Sequence, residues 1–242
     1  MQNQQSPRNT GPSKAIWIPQ FISVGLFRLS ARIRQKVANT GEIADYVSWL
    51  SGVFGKTRSF GTREKLWELM AQRVTGQEVR GMEFGVAFGY GTDWWLKRLP
   101  ADEIRWDGFD RFTGLPRAWR GLGAGAFDAG GQTPTIKDQR VTWHVGDVQD
   151  HLNDLSLDPS ESQQLVVLFD LDIFEPSLAA WEYLSGSLRT GDLLYFDEAF
   201  DADERRLLNE YVLPAGEYEC VGATPTALGL QVLSMNAHEL SG

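Results

Sequence analysis

Cysteine is almost missing from these 242 residues: Cys220 stands alone, so no internal disulfide can form. No run of about 18 apolar residues occurs, which excludes a hydrophobic helix that spans a bilayer. Basic residues are in deficit, 23 against 32 acidic for a net charge of −9. A surface of that balance has no electrostatic driver for phosphate backbones, so nucleic acid is excluded as a partner. What remains is ordinary in bulk: 42% hydrophobic and 23% charged residues are too balanced for a fibrous or wholly disordered chain. The length suits one large domain with decoration, and the expected setting is the cytoplasm.

Residues 1–13 are polar, with Pro7, Gly11 and Pro12, and read as a disordered tail. Residues 14–76 read as a helical extension or cap, with no small-residue cleavage site to suggest a signal peptide. Within it, 43–54 and 62–75 show helical spacing, and Thr62 is placed to cap the second. This extension is the expected face for a homodimer. Beyond Gly76 the rhythm becomes strand and helix in alternation, giving a domain over 77–242. Strands are expected at 79–84, 104–109, 141–145, 165–169, 193–196, 218–221 and 228–233. Near-continuous apolar runs such as LVVLF and LLYF predict a mostly parallel sheet with helices on both faces. The last two strands are joined by the short run TPTA and must pair antiparallel at an edge. Helices are expected from about Asp93, over 176–190 closed by Gly191, and over 202–212. Residues 111–139, rich in glycine and broken by Pro116 and Pro134, read as a lid-like insertion.

Ligands of an open parallel sheet bind beyond the carboxyl ends of its strands. After the first strand comes EFGVAFGYGT, with Glu83, Gly85, Gly89, Tyr90 and Gly91 in a glycine-rich turn into a helix. Its spacing differs from the dinucleotide-binding G-x-G-x-x-G, which disfavours a nicotinamide-dependent oxidoreductase. Asp110 follows the second strand, where a carboxylate can accept ribose hydroxyls. Asp147, Val148 and Gln149 follow the third and are short enough to border an adenine. Asp170 and Asp172 follow the fourth, and Asp197 and Glu198 the fifth, a hard-oxygen group suited to Mg²⁺. Asp170 and Asp172 are candidate proton acceptors and His144 a third, although His144 falls inside a strand. Glu175, Asp201, Asp203 and Glu204 read as helix-start acids that complement a dipole. Between Asp170 and Glu204 stand ten acids and one base, Arg189, which accounts for the whole excess of negative charge.

Taken together these motifs resemble the S-adenosylmethionine-dependent methyltransferases of the class I fold. EFGVAFGYGT and HVGDVQDHL are similar to segments of catechol O-methyltransferase, while GFDRFTGLPRAW, FDLDIFEPS and YFDEAF look closer to the macrocin O-methyltransferase group. The resemblance covers about residues 80–212. It implies a Rossmann-like, seven-stranded, mostly parallel α/β fold. It also implies S-adenosyl-L-methionine bound at Glu83, Gly85, Gly89, Asp110 and 147–149, and a divalent cation, Mg²⁺ by its chemistry, on Asp170, Asp197 and Glu198. Two departures stand out: Glu198 replaces the usual Asp or Asn, and the lysine base of catechol O-methyltransferase falls at Ile173. The expected acceptor is a sugar or other polyhydroxylated metabolite. A phenol, and a non-catalytic cofactor-binding module, are the alternatives.

Overall fold

A computed structural model describes residues 31–236 except 77, 153–154, 156 and 158–162, with side chains described from residue 40. The tail expected at 1–13 and the start of the extension lie outside these residues. The chain divides into two units, 1–41 and 42–242, and the site belongs to the second. Helix α1 is Ala31–Phe54 and α2 is Arg63–Ala71. Strands follow at β1 (Glu78–Phe84), β2 (Glu103–Asp110), β3 (Val141–Val145), β4 (Gln163–Phe169), β5 (Leu193–Phe196), β6 (Gly216–Ala223) and β7 (Leu228–Met235). Between them lie α3 (Tyr90–Leu96), α4 (Val148–Leu152), α5 (Phe174–Ser185) and α6 (Ala202–Leu207), the last continued by a π-helical turn, Leu208–Val212. No described helix is long and apolar enough to cross a membrane.

The sheet order is β3-β2-β1-β4-β5-β7-β6. All neighbours are parallel except β7, which runs antiparallel to both β5 and β6, as the short TPTA link requires. That link is tied by the Thr224 hydroxyl, which accepts the Ala227 amide at 2.8 Å. The order reverses between β1 and β4, so a crevice opens there at the carboxyl ends. Residues 58–60 run beside the end of β6: the Phe60 amide donates to the Ala223 carbonyl at 2.8 Å, and the Ala223 amide donates back to Arg58 at 2.9 Å.

Each face of the sheet has its own core. Tyr46, Leu50, Trp181, Leu184, Leu207 and Leu208 bury one face, and Leu66, Trp67, Met70, Trp94 and Trp95 bury the other. Trp94 and Trp95 are therefore core residues. On the first face one register carries a ring in five consecutive strands: His144, Phe109, Phe84, Phe169 and Phe196 pair across the ladder in that order. Their centroids are 4.4, 4.7, 5.7 and 4.8 Å apart. Offset aromatic pairs of this kind contribute about 0.5–1.5 kcal/mol each beyond their buried area.

Local details depart from the sequence expectations. Thr62 occupies the N-cap of α2 with extended backbone, yet its side chain makes no capping bond. Helix α5 begins at Phe174, two residues before Pro176, and ends on Gly186; Gly191 instead turns the chain into β5 with φ +98°. Helix α3 starts at Tyr90, three residues earlier than expected.

Gly81 in β1 shows how tightly the second core is filled, because a Cβ there would stand 1.9 Å from the Trp106 ring. Overpacking of this kind costs about 1–3 kcal/mol. We expect Gly81→Ala to lower the free energy of unfolding by that amount, read as a lower urea midpoint with an unchanged slope.

Candidate active site

A cavity of ≈ 360 Å³ lies beyond the strand ends. Its wall contains Glu83, Gly85, Tyr90 and Gly91 from the glycine turn, Asp110 after β2, and Asp147, Val148 and Gln149 after β3. The same wall contains Asp170, Asp172, Asp197 and Glu198. Five separate strand-end segments thus meet on one space. Two expected residues do not: Gly89 packs toward Pro134 and Ile136 of the 111–139 segment, and His144 is elsewhere. The His144 ring stacks on Phe109, and its Nε2 lies 2.8 Å from Asp107 Oδ1, which in turn accepts Arg80 Nε on Oδ2 at 2.9 Å. Its place is in the aromatic row, outside the cavity lining.

The glycine turn is set by close approach. Gly85 has φ +94°, and a Cβ there would collide with the Asp170 carbonyl at 1.7 Å. Asp110 organises the same turn from the other side: Oδ2 accepts the amides of Val86 and Ala87 at 2.9 and 2.7 Å, and Oδ1 accepts Phe112 at 2.6 Å. These bonds leave Oδ1 as the oxygen with most capacity for a ribose hydroxyl. Glu83 is 3% exposed beneath the start of α3, holding the Thr92 hydroxyl and, at 3.2 Å, the Trp106 indole N–H. Burial pushes its carboxyl up to about 7 against those two bonds.

The acids at β4 and β5 lie close together. Carboxylate oxygens of Asp170, Asp172 and Glu198 all lie within 4.8 Å of one another, whereas Asp197 is committed to other partners. The Tyr195 hydroxyl donates to Asp197 Oδ1, and Arg63 Nη1 donates to Oδ2 at 3.4 Å. Asp172 is held at φ +62°, an uncommon backbone state that concentrates at functional positions. Burial, then Asp197 and Asp201, push its carboxyl up to about 7. Burial followed by Asp197 and Asp172 raises Asp170, though a third of that side chain faces the cavity. Burial followed by Asp170 raises Glu198, whose Oε2 is buried with no partner. Crowded, partly orphaned carboxylates of this kind suit a hard divalent cation, whose charge would relieve their repulsion.

Two contributors escaped the sequence reading. Arg63, first residue of α2, lines the cavity, with its guanidinium 5.1 and 5.2 Å from the Trp67 and Tyr90 ring centroids and Nη1 4.0 Å from Asp170 Oδ2. A cation in the first turn opposes the helix dipole, the one hint that an anion waits nearby. Glu204 is 3% exposed with neither carboxyl oxygen in a hydrogen bond. Burial, then Asp197, Asp170 and Asp172, raise its pKa, and the Glu198 backbone offsets part of that. Asp201, by contrast, is the helix-start acid it was read to be, accepting the Asp203 amide at 2.9 Å.

Arg111, Gly114, Leu115, Pro116 and Phe127 of the 111–139 segment form part of the cavity wall. Ion pairs hold this segment in place. Arg117 Nη2 is 2.8 Å from Glu175, and Arg120 bridges Asp201 at 2.7 Å and Glu42 while lying over the Phe200 ring. Both arginines are thus paired with protein carboxylates.

No family model matches the chain, and no curated protein matches it. Solved structures do. CalS11, described as a calicheamicin methyltransferase, is 19% identical with a TM-score of 0.50 over 93% of this chain and 99% of its own. A putative rRNA-methylase from Clostridium thermocellum is 12% identical with a TM-score of 0.50 over 73% of this chain and 98% of its own. The fold is the Rossmann-like methyltransferase fold. Within that fold the cavity occupies the crevice where the strand order reverses.

The crowding has a thermodynamic signature. An acid whose pKa is higher in the folded state contributes stability that is complete below its unfolded value near 4 and is lost as pH rises through its folded value. For Glu83 and Asp172 that window runs from about 4 to about 7. In chelator, the thermal midpoint is therefore expected to fall between roughly pH 4 and pH 7. Mn²⁺ at the higher pH should restore part of the loss. A midpoint flat across the window and indifferent to Mn²⁺ would contradict the strain assigned to the cluster.

Proposed function

We propose that the chain is an S-adenosylmethionine-dependent O-methyltransferase that uses a divalent cation and acts on a hydroxyl of a sugar or other polyhydroxylated small molecule. The observation that carries this reading is one cavity whose wall joins Glu83 and the glycine turn, Asp110 and 147–149 to a cluster of convergent carboxylates. The fold likeness to a methyltransferase is consistent with it. A nicotinamide cofactor fits less well. Its pyrophosphate needs the N-terminus of the helix after β1, and there a Cβ at Gly91 would stand only 2.4 Å from Glu83 Oε1.

S-adenosylmethionine supplies an electrophilic methyl on a sulfonium, and a divalent cation supplies a Lewis acid that lowers the pKa of a hydroxyl. Asp170, Asp172 and Glu198 would hold the cation, and with it two neighbouring hydroxyl oxygens of the acceptor. Glu83 and the glycine turn would fix the methionine end, and Val148 would offer an apolar surface to the adenine. Asp170 or Asp172 would take up the proton that the acceptor hydroxyl gives up on methylation, at a carboxylate oxygen facing the cavity. Leu115, Pro116 and Phe127 give that space an apolar rim.

Calorimetry tests the cofactor: S-adenosylhomocysteine should bind at one site and NAD(H) should not, and no S-adenosylhomocysteine binding would overturn the proposal. For the cation, Asp170→Asn should reduce turnover of a hydroxylated acceptor by about 100-fold or more while S-adenosylhomocysteine affinity stays within a few fold. Full turnover in excess chelator would show that no cation is needed.

A further inference from the structure

We infer that residues 113–130 form a gate over the cavity, hinged at Phe112 and latched at its tip by Arg120, with Glu42 of α1 and Asp201 at the start of α6 as the two posts of the latch. The latch stands on its own geometry; the ligand it retains is taken from the methyltransferase reading above.

The segment is closed on itself and contributes little to the fold. At its neck the amides of Ala129 and Gly131 both donate to the Phe112 carbonyl, at 3.1 and 2.7 Å. The Phe112 ring is fully buried, edge-on to Trp143 with centroids 6.2 Å apart, so the neck is anchored in the body. Further out, the Leu115 amide donates to Ala126 at 2.9 Å and the Gly125 amide to Leu115 at 2.8 Å, which joins the two legs. No residue of 113–130 is buried, and none packs against either apolar core. A segment with so few buried contacts opens locally at far less cost than global unfolding. Leu115, Pro116 and Phe127 line the cavity, so whatever holds the tip down also closes that side of the site.

The tip is built for a side chain that its backbone does not favour. Trp119 and Leu122 exchange both backbone hydrogen bonds, at 3.0 and 2.7 Å, across the two-residue link Arg120-Gly121. Both linking residues are left-handed, at φ +46° and +83°. A turn of this kind favours Asn-Gly or Asp-Gly, and arginine there is strained. The Arg120 side chain supplies the compensation. It is 12% exposed, its guanidinium donates to Asp201 Oδ2 at 2.7 Å and to Glu42, and it lies 4.3 Å from the Phe200 ring centroid. Asp201 accepts the Asp203 amide on its other oxygen, so this post is braced by the cap of α6. Arg117, by contrast, meets Glu175 where both side chains are more than half exposed and solvent screens the pair.

Substitution separates the latch from the turn. Arg120→Asn supplies the dipeptide that the turn prefers and removes the guanidinium, so the hairpin is kept and the latch is lost. Amide exchange over 115–126, read by mass spectrometry on the full chain, should rise about 10-fold or more in Arg120→Asn. It should rise about 3-fold or more in Glu42→Gln, which leaves the turn untouched, and stay within about 2-fold in Arg117→Gln. Unchanged exchange in β1 and β4 shows that each variant is folded. S-adenosylhomocysteine should both associate and dissociate about 3- to 10-fold faster in Arg120→Asn, because an open gate speeds both directions whereas a damaged site speeds release alone. Exchange that is slower or unchanged in Arg120→Asn, an equal rise in Arg117→Gln, unchanged binding rates, or faster release without faster association would overturn the inference. A wild type that binds no S-adenosylhomocysteine refutes the methyltransferase reading, and the exchange comparison then decides the latch by itself.

Discussion

Five stacked rings hold this structure to its purpose. His144, Phe109, Phe84, Phe169 and Phe196 lie level across five parallel strands. In four of those strands the next residue is Asp110, Gly85, Asp170 or Asp197. A strand slipped by one residue would turn its ring off the row and move its acid away from the cavity. The apolar row therefore sets the height of the polar one, and its burial helps to stabilise a group of carboxylates that repel each other. His144 belongs to this device, which explains a histidine inside an apolar sheet without invoking chemistry.

The strands and the antiparallel edge could be read from the sequence because their signals are local: apolar runs of strand length, and a link too short for a crossover. The glycine turn and the acids at the strand ends were legible for the same reason. The sorting of those acids was not. Each of the two strand ends carries a pair of acids in the sequence, and only packing gives Asp172 a left-handed backbone beside Glu198 and Asp197 a tyrosine and an arginine. Glu204 has the position of a common helix-start acid, and nothing local shows that α6 packs it into the interior. Arg63 lies 20 residues before Glu83 in the chain, in a segment without a motif, and reaches the site only because α2 packs across the sheet.

The acid-rich window between Asp170 and Glu204 resolves into separate duties. Asp170, Asp172, Asp197, Glu198 and Glu204 concentrate negative potential at the carboxyl end of the sheet. Glu175, Asp201 and Asp203 face Arg117 and Arg120, so the loop over the cavity is tied down by the same stretch of chain that builds its floor. Asp192 works at the opposite end, where it accepts the Leu165 and Arg189 amides and fixes the entry to β5. Bulk acidity is thus a poor description of a charge distribution that is mostly local.

Residues 58–60 lead directly into the helix that begins with Arg63, and on the way they pair with the end of β6. An outermost strand with unpaired amides and carbonyls is a template for another chain. Here the lead-in segment satisfies both backbone groups of Ala223, so the stretch that delivers a charged group to the cavity also blunts one margin of the sheet against self-association. Removing it would expose that margin as well as take one guanidinium from the cavity wall, so that aggregation would accompany any change at the site.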